Sequence, residues 1–258
     1  MNKITICACS SRPFIDKAKV AQLAAEAQKL GYEVELVSDL CELCEDKDAK
    51  VHAIAQTALV ACHERAVKSL MAFAGEDNVK CLDLRSQTVE EVMQALAGMG
   101  GASPKAGDSG QKNEGNANEE LQTWQQQIEA MPCKLGDDAW YPTLDKDQCA
   151  ECGKCLEFCP FGVYEMVDDR IRVVHPHNCK NNCPACARTC PASAIIFPKY
   201  DRSPINGGKE KQENAIKLDT AFDFRQNTAF DFRQNAELYG QALRERLASR
   251  RVSILRDK

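Results

Sequence analysis

The feature that most restricts this chain is a pair of cysteine runs, Cys149-x2-Cys152-x2-Cys155-x3-Cys159-Pro160 and Cys179-x3-Cys183-x2-Cys186-x3-Cys190-Pro191. The chain carries 15 cysteines in 258 residues. An odd number pairs poorly into disulfides, so the thiols read as metal or redox ligands. Three thiolates on a tight loop can grip three corners of one iron–sulfur cube, and the fourth corner must come from elsewhere. The Cys-Pro unit beyond the x3 gap reads as the start of a helical turn pointing the other way, so it serves the other cube. The expected sets are Cys149, Cys152, Cys155 and Cys190 for one [4Fe-4S] cluster, and Cys179, Cys183, Cys186 and Cys159 for the second. Two structural zinc sites are the bland alternative, but zinc motifs usually separate two short Cys-x2-Cys knuckles by a longer loop.

These runs resemble the two-cluster bacterial ferredoxins over roughly residues 140 to 198. Phe161-Gly162-Val163-Tyr164 and Ala192 to Phe197 stand where that family has short strands, and Tyr164 to Val174 reads as a hairpin turning at Asp168-Asp169. The second run opens with three residues, Lys180-Asn181-Asn182, where the family has two. The resemblance implies single-electron transfer. A cube held by four cysteines has no open position for bond chemistry, and acidic neighbours such as Asp147, Glu151 and Glu157 favour low potentials. No Gly-x-Gly-x-x-Gly fingerprint for a nicotinamide or flavin occurs.

Residues 1 to 97 alternate strand-like and helix-like patterns: strands at Lys3 to Cys7, Glu33 to Val37, Thr57 to Ala61 and Val79 to Leu84, with helices at Ile15 to Leu30, Lys50 to Gln56, His63 to Ala74 and Val89 to Leu96. The expected fold is a small parallel-sheet α/β domain, followed by a linker, a ferredoxin-like two-cluster domain and a C-terminal helix. Cys7 and Cys9 end the first strand, Cys41 and Cys44 follow the second, and Cys62 ends the third. Ligands of open parallel sheets collect beyond the strands' carboxyl ends, so these five thiols point to one place. A third [4Fe-4S] cluster is expected there, held by Cys41, Cys44, Cys62 and one of Cys7 or Cys9; zinc or a thiol redox site are the alternatives. Cys7-Ala8-Cys9 and Leu59 to Arg65 (LVACHER) also resemble the cluster-binding segment of the heterodisulfide reductase A subunit, over about residues 4 to 73, and that resemblance implies the same third cluster. Cys81 reads as a buried strand residue and Cys133 as a free loop thiol.

Residues 98 to 132 read as a flexible linker with a short helix at 119 to 130, able to let the cluster domain dock or swing. The cluster domain is expected at 133 to 200, and 201 to 258 is a polar tail with a helix at 236 to 250. In that tail Thr220 to Asn227 (TAFDFRQN) is repeated as Thr228 to Asn235, which reads as a tandem duplication. The basic stretch around Arg244, Arg246, Arg250 and Arg251 lacks the aromatic platform of a nucleic-acid surface. Apolar runs are too short for a membrane span or a secretory leader, so a cytoplasmic location is expected. The functional expectation is an electron carrier or relay subunit between a redox protein donor and acceptor. The alternative is a redox enzyme subunit whose N-terminal thiols do thiol or disulfide chemistry.

Overall fold

The computed structural model describes residues 3–99, 114–134 and 136–209, with side chains described there outside 114–118. The first lobe begins with β1 (Lys3–Cys7), buried from Ile4 onward as a strand covered on both faces must be. α1 (Lys17–Lys29) follows, its N-terminus capped by Asp16, whose carboxylate accepts the Ala18 N–H at 2.9 Å. Then come β2 (Glu33–Val37), α2 (Leu40–Glu45), α3 (Lys50–Ala55), β3 (Ala58–Ala61), α4 (Glu64–Phe73), β4 (Cys81–Asp83) and α5 (Val89–Gly98). The four strands form a parallel sheet in the order β2-β1-β3-β4. One stretch differs from expectation: residues 40–45 are helical rather than loop. Asp39 is the reason, because its carboxylate accepts the Cys41 N–H at 3.0 Å and starts α2.

α6 (Glu114–Glu129) packs along α1. Ile128 is buried in the core of the first lobe and the Trp124 indole N–H donates to Gln28 Oε1 at 3.0 Å. Residues 119–132, read from composition as part of a linker, are thus fastened to this lobe; one buried Ile and one anchored Trp outweigh an otherwise polar segment.

The second lobe holds β5 (Thr143–Leu144), α7 (Lys154–Phe158), β6 (Tyr164–Val167), β7 (Arg170–Val173), α8 (Ala185–Thr189) and β8 (Ile195–Ile196). β6 and β7 form the expected hairpin, with Asp168 and Asp169 at φ 51° and 57°, the left-handed pair that a two-residue turn matched to strand twist requires. β5 pairs antiparallel with β8. Trp140, stacked on Phe197 with centroids 5.3 Å apart, packs with Val163, Tyr164, Ile171 and Ile195 in a separate small core.

The lobes are docked within one compact unit. Arg12 Nε donates to Asp138 at 2.7 Å and the guanidinium lies over the Trp140 ring. Arg65, in the first turn of α4, donates to Asp145 and to Gln148. Ser69 and Thr143 hydroxyls meet at 2.8 Å in the buried seam, and Tyr141 donates to the Cys41 carbonyl at 2.8 Å. This seam of buried polar pairs holds the cluster lobe in place, where composition had suggested freedom to swing. Expectations for residues 100–113, for the repeated segment at 220–235 and for a helix at 236–250 lie outside the described residues. Among the described residues, no helix is long and apolar enough to cross a membrane.

Candidate metal centres

The first cysteine run wraps a cavity. Cys149, Cys152, Cys155 and Cys190 line one space of about 340 Å³, walled otherwise by Leu144, Ile171, Ala194 and Ile195. Gly153, at φ +73°, turns the loop into α7, so Cys152 and Cys155 flank the bend. Burial, then Glu151, Cys190 and Cys152, raise the Cys149 thiol. Burial pushes Cys155 up to about 11, with Cys149 adding to the rise.

The second run gathers likewise. Burial pushes Cys179 up to about 12, and Cys186, Cys183 and Cys159 each add to it. Cys186 is raised to about 11 by burial, against the Tyr164 hydroxyl, which donates to its Sγ at 3.1 Å. Both Cys-Pro residues sit at the carboxyl ends of α7 and α8, in extended conformation, not at the start of a helical turn. The following proline forces this, because it disfavours helical backbone in the residue before it. Cys190 lines the same space as Cys149, Cys152 and Cys155, and Cys159 is among the neighbours that raise Cys179.

These surroundings fit iron–sulfur clusters. Two sets of thiols held close together on short loops are the donors such clusters take, bound as thiolates. Among the described residues no group of three or more His, Cys, Asp or Glu side chains is placed to hold a single metal ion.

The N-terminal thiols lie where the sheet order reverses. The chain steps from β1 out to β2, then crosses back past β1 to β3 and on to β4, leaving a crevice beyond the carboxyl ends of β1 and β3. Cys9 enters this crevice from β1 in the left-handed region, φ 49°, a conformation that costs a non-glycine residue about 1 kcal/mol or more. Cys62 enters from β3, and Cys41 from α2. Burial and then Cys9 raise Cys62 to about 12, while Cys41 is raised by burial and Asp39, with smaller contributions from Cys62 and Cys9. Cys7, also buried, feels Cys9 and accepts the Leu40 N–H at 3.4 Å. Cys44 stands apart: it is fully buried with its Sγ 3.8 Å from Met71 Sδ. The structure therefore brings together Cys9, Cys41 and Cys62, with Cys7 beside them. Cys81 is buried in β4 and Cys133 is exposed.

Three charged residues at this crevice carry no local sequence signature. Lys199, following β8, is 3% exposed and sits 2.5 Å from Asp39 and 3.3 Å from Asp138. Although burial opposes it, Arg12 and Lys199 hold the Asp138 carboxyl below the usual range. Arg85 donates to the Pro198 and Tyr200 carbonyls and lies over the Phe14 ring.

Comparison with known proteins places the cysteine runs. The family model of the 4Fe-4S dicluster domain matches residues 141–191. Ferredoxin-3 of Nostoc sp. is 35% identical over 93 residues, and the match covers 28% of this chain and 90% of that protein. The chain belongs to the ferredoxins. The second lobe is thus a ferredoxin lobe of the two-[4Fe-4S] type, and the chain is an iron–sulfur electron-transfer protein. An uncharacterized ferredoxin of Methanocaldococcus jannaschii is 44% identical over 66 residues, 25% of this chain and 45% of that protein, so the ferredoxin match spans under half of that relative. The pyruvate synthase subunit PorD of Methanothermobacter marburgensis is 41% identical over 54 residues, 21% of this chain and 60% of its own length.

Proposed function

We propose that this ferredoxin is a relay with three redox sites, passing single electrons between a donor and an acceptor protein. The two sites of the ferredoxin lobe are held by Cys149, Cys152, Cys155 and Cys190, and by Cys159, Cys179, Cys183 and Cys186. The third is a [4Fe-4S] cluster in the crevice between β1 and β3, with Cys9, Cys41 and Cys62 as ligands and Cys7 as the nearest further thiol. When bound, such clusters supply one-electron oxidation and reduction.

The observation that carries this reading is the gathering of Cys9 after β1, Cys41 in α2 and Cys62 after β3 at the crevice of the sheet, the first two buried and Cys62 half-buried. Two further features support it. Trp140, whose buried indole N–H has no partner among the described residues, borders the same small pocket as Cys41, Tyr141 and Lys199. An unpaired buried donor is costly, and an acceptor such as sulfur would relieve it. The docking seam also sets Cys179 of the ferredoxin lobe against the apolar core of the first lobe, giving the relay a short internal step. PorD is named as a subunit of pyruvate synthase, which suits an exchange partner that is itself a redox protein.

The test is an oxygen-free preparation of the full chain with iron and acid-labile sulfide counting. About twelve irons are expected, four per cube, and Cys62→Ser should lower the count by about four while leaving eight. A wild-type count of about eight would remove the third cluster and favour thiol chemistry at Cys9, Cys41 and Cys62.

A further inference from the structure

Lys199 belongs to the ferredoxin lobe by sequence but to the N-terminal crevice by position. It leaves the lobe just after Phe197 and Pro198, crosses the seam and buries its ammonium against Asp39 at 2.5 Å. Asp39 in turn holds the Cys41 amide at 3.0 Å, and Cys41 and Lys199 line the same cavity. A buried lysine is costly unless charges opposite it compensate, and one carboxylate would balance it. Here the surroundings hold two, Asp39 and Asp138, and Asp138 already has Arg12. The cation is therefore held beside the Cys41 thiol with its own pair, almost fully buried.

We propose that Lys199 is the positioning charge of the N-terminal redox site, supplied across the seam by the ferredoxin lobe, and that it favours the electron-rich state of that site while Asp39 opposes it. The proposal rests on the three-site reading above. A fixed positive charge in a dry crevice attracts an added electron, and a fixed negative charge repels it. Docking of the two lobes thus sets the driving force for the internal step as well as its distance.

The experiment is a redox titration of the iron-loaded full chain, followed by electron paramagnetic resonance, on wild type, Lys199→Met and Asp39→Asn. Both substitutions break the same ion pair, so a merely structural role would move the N-terminal couple the same way in each. The charge role moves it in opposite directions. Lys199→Met should disfavour reduction about tenfold, about 59 mV for one electron, and Asp39→Asn should favour it, with the two ferredoxin couples unchanged. Asparagine keeps the cap on α2, and Asp138 remains opposite Lys199 at 3.3 Å. Should Lys199→Met alone fail to fold, Lys199→Met is made on the Asp39→Asn background, where no carboxylate is stranded at 39, and compared with that parent. About twelve irons with both variants moving the couple in one direction would overturn the role of Lys199 alone. About eight irons in wild type would overturn the three-site reading and this proposal with it.

Discussion

The phenol of Tyr164 donates a hydrogen bond to the sulfur of Cys186 at 3.1 Å, deep in the ferredoxin lobe. A donor aimed at a ligand sulfur stabilises the state with more negative charge on it, which is the reduced one. Tyr164→Phe keeps the ring that fills the small core and removes only this donor. The couple of the cluster at Cys159, Cys179, Cys183 and Cys186 should fall, by up to about 59 mV if the bond is worth tenfold in the equilibrium. The other couples should hold, and a potentiometric titration reads all of them.

Arg65 joins the lobes through one guanidinium, donating to Asp145, Gln148 and the Ser193 carbonyl. Only the bond to Asp145 is partly buried and the other two are exposed, so solvent screening reduces their worth. Arg65→Ala should therefore destabilise the chain by about 1 kcal/mol, and hydrogen exchange should speed up at Asp145 to Cys149 and at Ser193, while the amides of β1 and β3 stay protected.

Gly207 is a second fastener, where contact is made by backbone. Its φ is +84°, and an added Cβ would lie 2.7 Å from both the backbone nitrogen and the Cβ of Ala66 in α4. Neither atom can yield without moving the helix. Gly207→Ala should cost about 2 kcal/mol or more in thermal or denaturant melts. Gly75, at φ +103° with open space around it, is the control: alanine there bears the backbone strain alone.

Three thiols, Cys44, Cys81 and Cys133, have no assigned ligand role, and the last two should differ sharply in reactivity. Cys133 is exposed, whereas Cys81 is buried in β4 and pushed up to about 11, chiefly by burial. Since only the thiolate reacts, iodoacetamide at pH 8 should label Cys133 and spare Cys81. A raised thiol gains thiolate as pH rises, so labelling of Cys81 should accelerate about tenfold per unit between pH 8 and 10. Mass mapping of the iron-loaded chain checks both.

Much of this was legible in the residues. The alternation of strand-like runs with amphipathic stretches predicts the four strands of the parallel sheet in order: β1 and β3, central and buried, leave apolar runs, and the edge strand β2 alternates Glu with Val and Leu. Spacing also predicts the exchange of Cys159 and Cys190, since a Cys-Pro unit after three residues cannot reach back to its own loop. The helix at Leu40–Glu45 was missed: six residues are too few for a visible period, and what starts it is one carboxylate on one amide. The seam was invisible for a different reason. Arg12, Asp39, Asp138 and Lys199 are separated by up to 187 residues, and each alone reads as an ordinary solvated charge. Only folding shows that they neutralise one another out of water.

The pairing of β5 with β8 carries a consequence for how such a chain is assembled. Thr143 faces Ile196 and Leu144 faces Ile195, so the polypeptide enters and departs the ferredoxin lobe through a single doorway. A module whose ends meet can be grafted into a new host without stretching either. The short stretch beyond that doorway carries Lys199 across to Asp39.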